Sequence, residues 1–177
     1  GQLPTVVVLG CTYDCGNITT ELLSAKTRGV SVHVYVDYYQ AISGNTSFMV
    51  DQLTALMKAG IPVFAQAGKD ITEEYGKVGR TVKPGRGALH AKAVLMGRYL
   101  VQGSCNWTVA SRSNQELDTL VRLSDQGISA FEARVREIEQ GGIVQFTVAM
   151  LKTISESEHR YKKRHLSPRS HSFGVMQ

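Results

Sequence analysis

The sequence predicts an α/β domain with a mixed, mainly parallel sheet flanked by helices. Strand-like and helix-like segments alternate over the first 64 residues, and the connections between them are short. Alternation of this kind indicates right-handed crossovers onto a parallel sheet. Of the 177 residues, 42% are hydrophobic and 20% are charged, which excludes a disordered chain. A chain of this size buries about 70% of its surface on folding, enough for a core without disulfides or metals.

The first strand, helix and second strand are indicated by residue type and period. Residues 6–9 are a continuous apolar, β-branched run, which is typical of a buried strand. Asn17 or Thr19 is expected to cap the following helix, which ends at Gly29. Valine then alternates with polar or aromatic residues over residues 30–37, and this period of two predicts the second strand.

The second helix and third strand complete the alternating unit. The helix is predicted to be capped within residues 45–47 and to end at Gly60. Residues 61–64 are predicted to form the third strand. Residues 66–88 are polar, basic and rich in glycine, so a loop is expected there.

Three strands and two helices are predicted in the remainder of the domain. The strands are residues 89–96, 99–101 and 117–123, and Gly97-Arg98 forms the turn between the first two. The helices are one capped by Ser124 or Asp125 and a last one over residues 143–158. Residues 1–158 are therefore expected to form the domain, and residues 159–177 a basic, disordered tail.

Positive charge is concentrated in one stretch of the chain. The sequence has 20 Lys and Arg against 15 Asp and Glu, a formal net charge of +5, and no acidic residue lies between Glu74 and Glu116. Because a field of one sign attracts ligands of the opposite sign, an anionic substrate is expected. The residues predicted to bind it are Lys77, Arg80, Lys83, Arg86 and Arg112.

The cysteine count and the hydropathy of the sequence limit the cellular compartments that are expected for the protein. Three cysteines, Cys11, Cys15 and Cys105, argue against a disulfide framework and favour a reducing compartment. The first two could form half of a zinc site, but no second ligand pair follows, so reduced thiols and no metal are expected. No apolar run reaches the roughly 20 residues of a membrane helix, and no signal peptide is visible. The default expectation is the cytoplasm, and an upstream targeting segment before Gly1 is compatible with the sequence.

Two short segments carry candidate chemistry. His90 and Lys92 are two residues apart, so on a strand their side chains point the same way. Such a histidine can attack phosphorus while the lysine binds a nonbridging oxygen. Ser104 and Asn106 follow the next predicted strand, and their hydroxyl and amide groups can donate hydrogen bonds to phosphate oxygens. Both segments are expected at one edge of the sheet, where ligands of α/β proteins bind.

These residues resemble the phospholipase D superfamily, whose signature reads H-x-K-x4-D followed by G-S-x-N. Trp107-Thr108 is similar to the small nuclease-like and mitochondrial cardiolipin hydrolase-like members that carry a single motif. Upstream, LLSAKTRGVSVHVYVD and LTALMKAGIPVF look like segments of the family, and Asn114-Gln115-Glu116 is similar to its N-x-E. The resemblance covers residues 5–123. The signature positions that match are His90, Lys92, Gly103, Ser104 and Asn106.

One position departs from the family signature. The aspartate expected five residues after Lys92 is Gly97, and the spacing to Gly103 is one residue shorter than in the family. In the family this aspartate is not the nucleophile, so its loss need not abolish chemistry. It leaves Lys92 without an expected carboxylate, for which Asp118 is a candidate replacement.

The resemblance implies a metal-independent, two-step displacement with no cofactor. His90 would form a phosphohistidine intermediate, Glu116 would hydrogen-bond its other ring nitrogen, and Lys92, Ser104 and Asn106 would hold the phosphate oxygens. A second histidine would protonate the leaving oxygen and then activate water. Because the chain has one such motif, a homodimer joined at the strand ends that carry His90 is expected to supply it.

Three functions remain open for this arrangement. A nuclease acting on single-stranded or non-specific nucleic acid is favoured by the stretch free of acidic residues, because a polynucleotide backbone contacts many cations at once. A hydrolase of cardiolipin or another anionic phospholipid is the first alternative. A degenerate module that binds polyanions without cleaving them is the second, motivated by the missing aspartate at Gly97.

Overall fold

A computed structural model describes residues 5–42, 47–70, 86–153 and 156. The strands are β1 (Thr5–Gly10), β2 (Ser31–Asp37), β3 (Val63–Asp70), β4 (Arg86–Ala88), β5 (Lys92–Met96), β6 (Tyr99–Gly103), β7 (Asp118–Arg122) and β8 (Ile143–Gln145). The helices are α1 (Gly16–Thr27), α2 (Tyr38–Ile42), α3 (Ser47–Lys58) and α4 (Asp125–Gln140). A 3-10 turn spans Ala110–Ser113, and residues 148–153 are helical.

The described strands form one eight-stranded sheet in the order β4-β3-β2-β1-β5-β6-β7, with β8 also paired to β3. The β1–β2 and β2–β3 pairs are parallel, as the alternating unit predicts. The pairs that extend the sheet on both sides are antiparallel. The predicted mixed sheet flanked by helices is confirmed, but the expectation that it is mainly parallel is wrong. Parallel pairing is confined to β1, β2 and β3, because the strands that extend the sheet on both sides pair antiparallel.

Helices cover both faces of this sheet and divide the core in two. On one face, Val8 and Val34 pack with Leu22 of α1 and with Leu53 and other apolar residues of α3. On the other face, Leu9 and Tyr35 pack with Val135 and Ile138 of α4. The alternation of side chains along β1 places Val8 and Leu9 on opposite faces. Burial of each large aliphatic side chain contributes about 1.5–3 kcal/mol, so both layers hold the sheet in place.

The predicted cap of α1 is wrong. The helix begins at Gly16 with Cys15 as its N-cap residue, and no side chain makes the capping hydrogen bond. Thr19 is instead buried in the first turns, where its hydroxyl lies 3.0 Å from the Tyr13 hydroxyl and donates to the Cys15 carbonyl. A threonine hydroxyl can bond the carbonyl four residues earlier in a helix, which satisfies it without a cap.

The last predicted helix, residues 143–158, is also wrong in its first part. Ile143–Gln145 forms β8, which pairs antiparallel with Phe64–Gln66 of β3, and helix is present over residues 148–153. Two consecutive β-branched residues at the start of this segment fit a strand better than a helix. The preceding α4 agrees with its prediction, because Ser124 is its N-cap and accepts the Gly127 amide at 3.2 Å.

Two element boundaries near the candidate site differ from prediction. The strand predicted over residues 89–96 begins only at Lys92, and residues 89–91 lead into it outside the sheet. The segment predicted as a loop, residues 66–88, contains the end of β3 and all of β4. The predicted turn at Gly97-Arg98 is confirmed, and Gly97 has a φ of +59°.

The predicted tail, residues 159–177, lies outside the described residues, so the division at residue 158 stays a prediction. Within the described part of the chain, no helix is both long enough and apolar enough to span a membrane.

Candidate active site

The candidate site lies at the edge of the sheet where β1, β2 and β6 end. Gly10, the last residue of β1, pairs with Lys92, the first residue of β5. At the next strands, Gly103 ends β6 opposite Asp118, which begins β7. The segment before Lys92 and the loop from Gly103 to Asp118 therefore emerge at the same edge. Sequence reasoning predicted this meeting of the two segments, and the antiparallel register of β5, β6 and β7 accounts for it.

His90 and Lys92 are in direct contact. The Lys92 Nζ lies 3.0 Å from Nε2 and 3.2 Å from Nδ1 of His90, and it donates to the His90 carbonyl at 3.1 Å. The in-plane lone-pair directions of the two ring nitrogens diverge, so one ammonium cannot lie along both. The ammonium lies beside both ring nitrogens, and the tautomer of His90 decides which of them accepts its hydrogen bond.

His90 and Lys92 differ in their exposure to solvent. Lys92 is 8% exposed, whereas His90 is exposed at the edge of the sheet. The prediction placed both on a pleated strand, but His90 precedes β5, and the long lysine side chain rather than the pleat brings them together. The result is an accessible imidazole beside a fixed, largely desolvated cation. Such a pair can present a nucleophilic nitrogen and a positive charge to the same phosphate.

A buried carboxylate that sequence reasoning missed holds the His90 segment. Asp37, the last residue of β2, is 1% exposed. Its Oδ2 accepts the Leu89 amide at 2.9 Å, and its Oδ1 accepts the Gln40 amide at 2.9 Å. Leu89 directly precedes His90, so this bond fixes the backbone from which the imidazole projects. The signal in the sequence was a charged residue that ends a strand of alternating valines, since buried charges need partners.

Ser104 belongs to a hydrogen-bond network in the loop after β6. Its hydroxyl donates to Glu116 Oε2 at 2.5 Å and accepts the Leu117 amide at 3.0 Å. The other carboxylate oxygen, Oε1, accepts Asn114 Nδ2 at 3.0 Å. The Ser104 hydroxyl proton is therefore held by Glu116 in this structure, and it must change partner to donate to a phosphate.

Glu116 differs in its partners from the prediction. Among the described residues it has no hydrogen bond to His90, because its two oxygens accept from Ser104 and Asn114. These bonds, in that order, lower the pKa of the Glu116 carboxyl, and the positive charge of Lys92 acts in the same direction. The carboxylate is thus negatively charged near neutral pH. It accepts the Ser104 hydroxyl proton and attracts the positive charge of Lys92.

Asn106 carries a buried polar atom without a partner. Its Oδ1 is the one buried side-chain oxygen or nitrogen in the described part of the chain that has no hydrogen bond. An unpaired buried acceptor costs about 1–3 kcal/mol. Rotation of the amide by 180° exchanges Oδ1 with Nδ2, so the same position can present a donor. Next to it, Trp107 is buried and packed against the core, and its Nε1 donates to the Leu9 carbonyl at 2.7 Å.

Gly103 is required by close approach of the backbone. A Cβ at this position would overlap the Asp118 carboxylate and the Leu117 carbonyl. Asp118 is held there because its Oδ1 accepts the Cys105 amide at 3.2 Å. The candidate replacement of the missing aspartate by Asp118 is therefore wrong, since this carboxylate binds the loop backbone instead of Lys92.

The predicted cation-binding residues are only partly described. Lys77, Arg80 and Lys83 lie outside the described residues, and Arg86 is described as backbone in β4. The Arg112 guanidinium lies 3.6 Å from the Cys15 sulfur, on the loop that carries Asn106. A role for these five cations in binding substrate stays a prediction.

The cysteines are free thiols in the described structure. Burial raises the pKa of Cys11, with a further increase from Asp37, and burial followed by Asp118 raises the pKa of Cys105. Thiolates, and not neutral thiols, bind zinc and attack substrates. Within residues 5–42, 47–70, 86–153 and 156, no three histidine, cysteine or acidic residues are grouped so that they could hold a metal ion.

Comparison with known proteins agrees with the fold. The family described as "Cardiolipin synthase, PLD-like domain" matches residues 5–138. Among proteins with curated descriptions, none matches the chain.

Three solved structures are similar in fold. The phospholipase D family member Nuc from Salmonella typhimurium has a TM-score of 0.63 and 16% identity, over 80% of this chain and 81% of that one. NucT from Helicobacter pylori has a TM-score of 0.61 and 16% identity, over 80% and 82%. Phosphatidylserine synthase from Haemophilus influenzae Rd KW20 has a TM-score of 0.54 and 10% identity, over 92% of this chain and 40% of that one.

The family match spans most of the chain and contains His90, Asn106 and the strands β5 and β6 between them. The contact between Lys92 and His90 and the return of the Ser104 loop to the same sheet edge lie inside it. The chain therefore belongs to the phospholipase D-like family.

Proposed function

We propose that the protein is a metal-independent phosphodiesterase that acts through a phosphohistidine on His90, with nucleic acid as its substrate. The observation that carries the proposal is the Lys92 ammonium held 3.0 Å from the His90 ring at the edge of the sheet. A phosphodiester seated there meets a nitrogen nucleophile and a cation at once. The similar structures Nuc, which is described as a phospholipase D family member, and NucT share this fold.

The reaction has two displacements. His90 attacks phosphorus, the bond to the leaving oxygen breaks, and a proton passes to that oxygen from a second imidazole. Water then attacks the phosphohistidine, loses its proton to the second imidazole and frees His90. Lys92 neutralises the nonbridging oxygens, and the Ser104 hydroxyl and the Asn106 amide donate hydrogen bonds to them after each group has reoriented.

The second imidazole is proposed to come from a second copy of the chain. The one other histidine in the described residues is His33, on β2, where its ring lies 6.2 Å from that of Phe64 and away from the His90 segment. A twofold interface brings the same edge of each chain together, so each copy supplies one His90.

The exposed edge strand supports such an interface. All five residues of β7 are exposed, and Leu117 and Leu120 are 81% and 65% exposed. Leu117 donates its amide to Ser104, so this apolar surface adjoins the candidate site. Uncovered apolar side chains on an edge strand mark a surface that another chain covers.

Phospholipid is the second candidate substrate. It is favoured by the description of the matching family as cardiolipin synthase-like and by the exposed leucines beside the site, which could face lipid. Nucleic acid is preferred because the stretch between Glu74 and Glu116 carries only positive charge, which suits a backbone with many phosphates.

A side-by-side assay tests the proposal. Single-stranded DNA, RNA, bis(p-nitrophenyl) phosphate and cardiolipin vesicles are each incubated with the protein in the presence of a chelator. We expect cleavage of the nucleic acids and the aryl diester, and its loss in His90→Ala. His33→Ala is the matched control, because it removes an imidazole that does not contact Lys92, and it should cleave as the native chain does.

Two outcomes would contradict the proposal. Cleavage of cardiolipin alone would transfer the same chemistry to the lipid alternative. Tight, salt-sensitive binding of nucleic acid with no cleavage of any substrate would identify a polyanion-binding module.

A further inference from the structure

A cleft of about 660 Å³ opens beside His90, between the end of α4 and the chain at residues 88–91. Its buried floor is apolar and formed by Leu9, Leu89 and Ile138. This volume lies within the range of pockets that hold small molecules, about 300–1,000 Å³. The histidine is part of the wall, so a group bound to the reacting phosphate can extend directly into the cleft.

The remainder of the wall is polar. Two carboxamides, Gln66 and Gln140, and one guanidinium, Arg134, line it together with Glu137. Gln66 is buried, and its Nε2 lies so close to Gly141 that a Cβ there would approach it to 3.1 Å. The cleft thus combines an apolar floor with donors, acceptors and one cation.

The cation of the cleft is already paired, but weakly. Arg134 donates to Glu137 at 2.5 Å, and both side chains are exposed. Exposed ion pairs contribute about 0–1 kcal/mol, so a competing anion can replace the carboxylate. A phosphate is a suitable competitor, because the planar guanidinium can donate two parallel hydrogen bonds to it.

We propose that this cleft is a nucleotide subsite, in which Arg134 binds the phosphate adjacent to the one attacked by His90. The inference rests on the proposed phosphodiesterase and specifies its substrate as a polynucleotide with a neighbouring phosphate. The flanking nucleoside lies over the apolar floor, and the carboxamides of Gln66 and Gln140 face its polar edges. On substrate binding, Arg134 exchanges the Glu137 carboxylate for the phosphate.

The wall fits a nucleoside better than an acyl chain. A lipid chain in the cleft would remove Arg134, Glu137 and the two carboxamides from water without giving them partners. Burial of such groups without hydrogen bonds is unfavourable. Amide side chains, in contrast, match the donors and acceptors along base edges.

The test compares substrates with and without a neighbouring phosphate. Arg134→Ala is expected to raise KM for an eight-residue oligothymidylate about tenfold, which corresponds to about 1.4 kcal/mol. Its kcat and its activity on bis(p-nitrophenyl) phosphate, which has one phosphate, should stay within about twofold of the native values. Arg136→Ala is the matched control on the same helix, since Arg136 pairs with Glu132 and does not line the cleft. Glu137→Gln should lower KM for the oligonucleotide.

Three results would overturn the subsite. These are equal KM values for Arg134→Ala and Arg136→Ala, an equal loss on both substrates, and a KM effect seen with cardiolipin vesicles but not with oligothymidylate. The subsite is also measured without catalysis, by anisotropy of a labelled oligothymidylate on His90→Ala protein. Weaker binding after Arg134→Ala would support the subsite even if the native protein cleaves nothing, so its failure and that of the phosphodiesterase are distinguishable.

Discussion

The Asp37 carboxylate accepts the Leu89 amide at 2.9 Å and thereby ties the end of β2 to the residue that precedes His90. Asp37→Ala would leave the buried Leu89 amide without this acceptor, at a cost of about 1–3 kcal/mol. We expect a lower free energy of unfolding in urea and a fall in kcat larger than the rise in KM, because the nucleophile is displaced.

A graded series separates this role from general destabilisation. Asp37→Asn keeps one acceptor oxygen and should lie between native and alanine in both measurements. Asp51→Ala removes an exposed carboxylate of α3 and should change neither. If Asp37→Ala were as active as the native protein, the carboxylate would not position His90.

The ionisation of Glu116 predicts a pH dependence with a definite sign. Hydrogen bonds from Ser104 and then Asn114 lower its pKa in the folded protein. A pKa that is lower in the folded than in the unfolded state stabilises the protein at pH values above the unfolded-state pKa. This contribution is lost as the pH falls through the folded-state pKa. The stability difference between native protein and Glu116→Gln should therefore be constant near neutral pH and disappear in acid.

The measurement is the titration of the Glu116 side chain by carbon-detected NMR, together with urea unfolding as a function of pH. Ser104→Ala removes the larger cause and should move the Glu116 pKa back towards its ordinary value. An unchanged Glu116 titration in Ser104→Ala would show that the serine is not its main partner.

Gly103 and Gly97 provide a matched pair of glycine substitutions. Gly103→Ala places a methyl group against Asp118 and Leu117, which costs about 1–3 kcal/mol and displaces Ser104. Gly97→Ala meets open space, but its φ of +59° costs about 1–2 kcal/mol. Both should lower the melting temperature by similar amounts. Loss of cleavage is expected for Gly103→Ala alone, and equal activities would contradict the close approach at the site.

The exposed β7 predicts the oligomeric state. Leu120→Glu should convert a dimer into a monomer in sedimentation velocity and abolish cleavage, while the folded chain loses little stability because this side chain is exposed. Phe48→Glu changes an equally exposed apolar residue on α3, away from the site edge, and should remain dimeric and active. An active Leu120→Glu monomer would exclude the shared site.

The core of the fold was predictable because its signals are local. The alternating valines of β2 have the period of a strand. The continuous apolar, β-branched run of β1 is typical of a buried strand. The predictions that were wrong concern residues whose conformation depends on a partner distant in the sequence or in the fold. Residues 143–145 became a strand because β3 offered an unpaired edge, and Thr19 turned inward because Tyr13 offered a hydroxyl.

The same distinction holds at the site. The meeting of His90, Lys92 and the Ser104 loop followed from motif spacing and strand direction. Asp37 was missed because its two partners are backbone amides, one of them 52 positions away, which no side-chain pattern encodes. The partners of Glu116 were assigned wrongly because Asn114 and Ser104 compete with the imidazole for the same oxygens.

The covalent intermediate is the most direct test of the account. The native protein is mixed with bis(p-nitrophenyl) phosphate, quenched in alkali within milliseconds and digested for mass spectrometry. The account predicts a p-nitrophenyl phosphoryl group on His90 that is labile in acid, is absent from His90→Ala, and reaches at most one adduct per dimer. Rapid cleavage with an adduct on any other residue, or with no adduct at any time, would contradict it.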